Sequence, residues 1–173
     1  MSKKSHSEIT KFIKHDLPLK IQKDLLNHKI VKEADIECST YFHLRRFIGE
    51  GTDWRILARK HAPATGHYID LLLFNGHHPA IAIELKWAKK NIGEKDRRSL
   101  QRALEELKVQ KAYWISATMD EHKALTEREY TDRHKLFQIT IPLGLGKDEK
   151  KEWLSKRKKF RNDMETGKRK VVQ

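Results

Sequence analysis

Several common constellations are missing from this chain, and each absence narrows its chemistry. Cys38 is the sole cysteine among 173 residues, so neither an intramolecular disulfide nor a cysteine-cluster zinc site can form. No run of about 18 apolar residues occurs, which excludes a helical membrane span. The first residues, Met1-Ser2-Lys3-Lys4-Ser5-His6, contain no apolar core of a secretory signal. An intracellular, cytoplasmic protein without a membrane partner is the resulting expectation. There is no glycine-rich phosphate loop: Gly144-Leu145-Gly146 lacks the lysine–serine ending and reads as a linker. Ser5, Ser99 and Ser116 are not framed by a nucleophile elbow. Internal repeats and low-complexity segments are absent. The apolar fraction, 38%, is low for a globular domain, while charged residues make up 35%. The length suits one domain with short appendages, large enough to bury a core without a structural metal.

What the chain does have is positive charge. Thirty-seven Lys and Arg face 24 Asp and Glu, for a formal net charge of +13. Residues 1–32 carry +5, residues 33–146 carry +2, and residues 147–173 carry +6. The middle is nearly neutral and the ends are cationic. They read either as solvated helices and a frayed tail or as surfaces that grip phosphates by releasing counterions. Lys156-Arg157-Lys158-Lys159-Phe160-Arg161 is the densest run. Its lysines act mainly as point charges on phosphate and imply no base-specific reading.

Hydrophobic periodicity divides the chain further. Residues 8–14 and 17–30 predict two short helices, with Pro18 near the start of the second. Residues 33–48 predict a stronger one, with Ile36, Thr40, His43 and Phe47 on one stripe and Glu37, Tyr41, Leu44 and Ile48 on the next, stopped by Gly49-Glu50-Gly51. The period then changes to two. Strands are predicted at 55–59, 67–74, 80–87, 112–117 and 137–141, a helix at 96–110, helix or loop at 120–135, and a basic helix at 148–164. The second and third strands flank the turn-rich Asn75-Gly76-His77-His78-Pro79 and read as a hairpin. The strand–helix–strand run 81–117 suits parallel neighbours. Together these elements predict an α/β domain with a central mixed β-sheet flanked by helices. It has a helical N-terminal extension (1–32), a core in the order α-β-β-β-α-β (33–146), and a basic C-terminal helix and tail (147–173).

The hairpin carries the chemistry. With a turn centred on His77, Asp70 faces Glu84 across the strands, and Lys86 shares the face of Glu84. Two carboxylates at cross-strand distance repel. Protonation, a neighbouring cation or a divalent metal relieves that cost. Oxygen ligands of this kind suit Mg2+ or Mn2+, with water completing an octahedron. A lysine beside them could orient water or stabilise charge on phosphate, a set of parts that fits phosphodiester hydrolysis. The plain alternative is an ion pair of Lys86 with Glu84 or Asp70 at a strand end.

Asp70, thirteen intervening residues, then Glu84-Leu85-Lys86 resembles the motif of the PD-(D/E)XK nuclease superfamily, which has the restriction-endonuclease-like fold. The setting resembles it too: Asp70 enters the apolar Tyr-Ile-Asp-Leu-Leu-Leu-Phe with Gly66 ahead of it, and Ala-Ile-Glu-Leu-Lys forms the second half. The resemblance spans about residues 33–118. It implies that Asp70 and Glu84 are metal ligands, that the backbone carbonyl of Leu85 completes the site, and that Lys86 positions the attacking water or stabilises the phosphorus. A glutamate from the preceding helix joins the site in many members, and Glu33 and Glu37 both qualify. Glu33-Ala34-Asp35-Ile36 resembles the helix start of several branches, while Glu37 has the spacing to Leu44 and Gly49 seen in Holliday-junction-resolvase-like members. Ile69 stands where the superfamily's proline would be.

The resulting expectation is a divalent-metal-dependent nuclease acting on DNA. A homodimer is conceivable for double-strand cutting. The alternative is a module of the same fold that binds nucleic acid within a larger complex without cutting it. Other residues attract weaker readings. Gln101 is a candidate for the helix after Lys86, and Asp96 reads as that helix's cap. His77-His78 reads as an exposed turn. Trp54, Trp87, Trp114 and Trp153 read as core or rim, with Trp87 the one directly after Lys86.

Overall fold

The computed structural model describes residues 4–30, 32–62, 67–87, 89, 91–119, 126–129 and 135–166. Six strands form one open mixed sheet: β1 (Trp54–Ala62), β2 (His67–Asn75), β3 (His78–Trp87), β4 (Lys111–Thr118), β5 (Thr126–Glu129) and β6 (Leu136–Pro142). Their order across the sheet is β1-β2-β3-β4-β6-β5. The first three are antiparallel neighbours, β3, β4 and β6 run parallel, and β5 lies antiparallel to β6 at the edge. The inner strands are buried nearly throughout: Ala80–Leu85, Ala112–Thr118 and all of β6. Such strands read as continuous apolar runs because both faces are covered. Helices α1 (His6–Lys11), α2 (Leu17–Leu26) and α3 (Glu33–Ile48) cover one face, joined by Trp153 of α5 (Lys147–Glu165). Helix α4 (Glu94–Glu106) covers the other with Leu100, Ala103 and Leu104, and links β3 to β4 as the parallel connection requires.

Three differences from the predicted elements have physical causes. The two N-terminal helices are one continuous stretch from His6 to Leu26, in which Phe12–Asp16 widen into a π-turn. Pro18 has no N–H for the carbonyl four residues back and its ring crowds that turn; the wider turn accommodates both. In α3 the buried stripe is Ile36, Thr40, Leu44 and Ile48, a strict four-residue spacing that cuts across the two predicted stripes and leaves Tyr41 and Phe42 exposed. Within 120–135, predicted as helix or loop, Thr126–Glu129 is a strand; the rest of that stretch up to residue 134 lies outside the described residues, as does Gly66. All four β5 residues are exposed, so backbone pairing with β6 makes the strand, not an apolar alternation.

The β2–β3 hairpin sets the positions of the charged residues. Asn75 pairs with His78 around a two-residue loop whose first member, Gly76, has φ of +62°, as a primed hairpin turn needs. Continued unbroken, that register would set Asp70 against Ile83. Instead it shifts between Leu73 and Phe74, leaving Ala80 as an extra residue on β3. Beyond this bulge Leu73 pairs with Ile81, Leu72 with Ala82 and Leu71 with Ile83, the register that sets Asp70 opposite Glu84. The displaced carbonyl of Ala80 accepts from the Gln110 N–H at 2.8 Å. Among the described residues no helix is long and apolar enough to cross a membrane.

Candidate metal centre

Past the Leu71–Ile83 pair the two strands part. Strand β2 goes on pairing with β1 as far as His67, while β3 goes on pairing with β4 as far as Trp87. The gap between them holds Asp70, Glu84 and Lys86. The Leu85 N–H, released from the ladder, donates to Asp70 Oδ2 at 2.8 Å. In an extended strand the N–H and C=O of one residue point to the same side. The Leu85 carbonyl therefore faces the same gap.

Glu84 is buried, at 7% exposure. Its Oε1 accepts from Lys86 Nζ at 2.6 Å, while its Oε2 is buried without a hydrogen-bond partner among the described residues. Burial and the nearby Asp70 carboxylate push the Glu84 carboxyl up to about 7, and Lys86 offsets this only in part. Asp70 is also raised, first by burial, against the opposing pull of the Leu85 N–H and Lys86, with Glu37 and Glu33 adding to the rise. Burial pulls Lys86 down, but its bond to Glu84 and the attraction of Glu84, Asp70 and Asp96 outweigh it, so the ammonium is held above its ordinary value.

The helix acids take separate places. Glu33, at the start of α3, accepts from the Trp87 N–H at 3.2 Å and lies 3.9 Å from Lys86 Nζ. Glu37, one turn on, is paired with Arg59 Nε of β1 at 2.9 Å. Both lie close enough to disfavour ionisation of Asp70. Asp96 is a correction: α4 is capped at Gly93, and Asp96 sits inside the first turn. Its carboxylate is 3.3 Å from the indole nitrogen of Trp114 and 3.9 Å from Lys86 Nζ, so it belongs to the charge cluster. The signal was present in the sequence, since Asp96 shares the apolar stripe of Leu100 and Ala103 at spacings of four and three. Gln101 is half-buried further along α4, and His77 and His78 are exposed at the hairpin end.

Two cations, Lys86 and Arg59, thus meet five carboxylates: Asp70, Glu84, Glu33, Glu37 and Asp96. The surplus is negative. Among the described residues no three His, Cys, Asp or Glu side chains draw together closely enough to hold a metal by themselves. The available donors are two carboxylates and one carbonyl, all hard oxygens, which suits a cation that keeps several waters. The fit rests on Glu84 Oε2: a buried carboxylate oxygen without a donor carries a desolvation cost that a bound cation would offset.

Trp54, Trp114 and Trp153 are core residues, each under 5% exposed, whereas Trp87 is half-buried. The Arg157 guanidinium of α5 lies 4.5 Å from the Trp87 ring centroid, and the two indoles of Trp87 and Trp153 stack at 6.5 Å. Trp153 donates to the Leu25 carbonyl at 3.1 Å. These contacts hold the basic C-terminal helix beside the end of β3 that carries Lys86.

No family model matches the chain, and no curated protein does. Among solved structures, the refined half-complex from a tetradecameric assembly of Thermococcus gammatolerans McrB AAA+ hexamers with bound McrC contains a similar chain. The alignment has 14% identity and a TM-score of 0.46, and covers 75% of this chain but 33% of that one. This chain therefore spans about a third of its structural neighbour, and a likeness of that degree carries no inference about function.

Proposed function

We propose that the chain is a divalent-metal-dependent nuclease that hydrolyses DNA phosphodiester bonds on a restriction-endonuclease-like core of the PD-(D/E)XK type. One observation carries the reading. Asp70 and Glu84 face each other where β2 and β3 part, with a buried Glu84 oxygen that has no donor among the described residues and Lys86 bonded to the other. In this reading Asp70, Glu84 and the Leu85 carbonyl hold Mg2+ or Mn2+. When bound, that ion would polarise a phosphoryl oxygen and lower the pKa of water.

The chain's own residues supply the rest. Lys86 is held charged by its carboxylate neighbours, so it serves as a donor and a positive charge, not as a base. Its ammonium orients the attacking water and stabilises charge building on the phosphate. Asp70 is fixed by the Leu85 N–H, and that N–H is fixed by the β3–β4 ladder, so the acid is positioned by rigid sheet. The cationic ends suit contact with flanking phosphates. Lys158 and Lys159 are exposed on a helix that packs beside Trp87.

The test is a panel of labelled duplex, junction, flap and single-stranded DNA and RNA, incubated with Mg2+ or Mn2+, for wild type and Glu84→Ala. Wild type should cut at least one substrate and Glu84→Ala none. A calorimetric titration should show Mn2+ binding that Glu84→Ala loses. Cleavage that persists in Glu84→Ala would overturn the site. Nucleic-acid binding with neither cutting nor Mn2+ uptake would leave the non-catalytic module as the correct reading.

A further inference from the structure

The β1–β2 ladder has one gap. Ala58 pairs with Leu71 and Lys60 with Ile69, so Arg59 stands opposite Asp70, yet that pair does not form. The cause is the Arg59 backbone, whose φ is +46°. The other described non-glycine residues with positive φ, His28, Lys108 and Lys135, sit at the ends of elements or in loops; Arg59 alone among them lies inside a strand. A left-handed residue in a strand is strained, and such strain persists where the surroundings hold it. By strict alternation Arg59 would share the face of Asp70. The left-handed backbone breaks that alternation, and the guanidinium reaches Glu37 on α3 instead.

We infer that Arg59 is a substrate-binding residue of the candidate site, whose guanidinium exchanges Glu37 for a phosphate of the nucleic acid on the open side of Asp70. The inference rests on the nuclease reading and names a contact to its substrate. Three observations lead to it. Among the described residues, Arg59 and Lys86 are the cations bonded to the acids of the cluster, and Lys86 is enclosed by Glu84, Glu33 and Asp96. Arg59 is the accessible one, its side chain 66% exposed against 16% for Lys86. The Glu37 bond uses Nε, and among the described residues the terminal nitrogens make no other bond, leaving a fork that suits two phosphate oxygens. The guanidinium is the solvent-exposed end of the pair, at 66% against 15% for the Glu37 side chain, so it is the partner placed to turn towards a phosphate. A polyanion approaching five carboxylates also needs a cation on its own side of the cluster, and the strained backbone places one there.

The decisive variant is Arg59→Asn, because asparagine tolerates the left-handed backbone and removes the guanidinium. Wild type, Arg59→Asn and Arg59→Lys are compared in Mn2+ by single-turnover cleavage across DNA concentration and salt, with Mn2+ calorimetry on the DNA-free proteins. For Arg59→Asn the half-saturating DNA concentration should rise roughly tenfold and the salt slope of binding should become shallower by about one. Its Mn2+ affinity should stay within about threefold of wild type, since the change leaves Asp70 and Glu84 in place. Arg59→Lys should recover the salt slope without the full affinity, because it returns the charge but not the fork. An unchanged half-saturation and slope would overturn the inference. So would a loss of Mn2+ affinity parallel to the loss of cleavage, which would make Arg59 a support for the metal. If wild type cuts nothing, the nuclease reading falls, and fluorescence anisotropy with the same duplex decides the contact: equal slopes for wild type and Arg59→Asn overturn it, and a difference of about one supports it.

Discussion

The two halves of the β2–β3 hairpin are built to opposite rules. The half next to the turn is laddered on both sides of the bulge at Ala80, and Leu71, Leu72, Leu73, Ile81, Ala82 and Ile83 are all at or below 2% exposure. The far half has lost its mutual pairing and, besides the buried Ile69 and Leu85, carries the charged Asp70, Glu84 and Lys86. The same two strands are a stabilising unit at one end and a costly charge cluster at the other. The second is tolerable because of its neighbours: β1 holds the far half of β2 and β4 holds the far half of β3. A site can be destabilising locally when the sheet on each side fixes its backbone.

That contrast can be broken from either end. The largest effect belongs to the open half. Asp70→Ala, Glu84→Ala and Lys86→Ala should each lower cleavage by at least roughly 100- to 1000-fold while the circular dichroism spectrum keeps its native shape. Next comes the laddered half. Ile81→Ala, at a site with 0% exposure, should cost about 2–5 kcal/mol in urea unfolding while the folded protein keeps its Mn2+ affinity. A loss of Mn2+ binding without a loss of stability there would erase the division.

A pH series sharpens the same contrast. Glu84 is raised from 4.5 to about 7 in the fold, so the folded state binds its proton more tightly than the unfolded chain does. That contribution is fully present below about pH 4.5 and is lost as pH rises through about 7, an amount on the order of 3 kcal/mol. Metal-free wild type should therefore lose thermal stability across this window. The fall should be shallower in Glu84→Gln, and Mn2+ at pH 8 should restore the wild type. Equal slopes with and without the carboxylate would contradict the electrostatic account. The smallest effect lies at the turn. Gly76→Ala puts a side chain at φ of +62°, where no neighbour lies within 4 Å of the added carbon, so it should cost only about 1 kcal/mol of backbone strain and leave metal binding alone.

Legibility in the chain depends on which forces are local. Helix α3 and strands β2, β3, β4 and β6 announce themselves by periodicity or by apolar runs, and the hairpin by its turn residues. The opposition of Asp70 and Glu84 was also legible, although by a route the residues alone do not reveal. The turn is centred half a residue away from His77, and the extra residue at Ala80 supplies the difference. Strand β5 was not legible, because Thr126-Glu127-Arg128-Glu129 buries nothing and owes its conformation to β6. Asp96 reads as a cap from its position near a helix start, although its spacing to Leu100 and Ala103 already sets it on the buried face of α4; that this face meets Lys86 depends on how the helix crosses the sheet. The Arg59–Glu37 pair joins a strand edge to a helix 22 positions away and has no sequence signature.

The left-handed backbone at Arg59 has a consequence for how copies of this protein meet. A mixed sheet exposes two edges, and an uninterrupted edge is a template on which another chain can add a strand. At one edge, β5 offers four exposed residues, three of them charged, with Glu127 tied to Lys14 of the N-terminal helical stretch at 2.5 Å. At the other, β1 is nine residues long and would be the hazard, but the turn of the chain at Arg59 divides it into two short runs. The same distortion that aims a guanidinium thus deprives the sheet of a straight free border. Arg59→Val, which favours an unbroken strand, should be more prone to edge-to-edge association than Arg59→Asn.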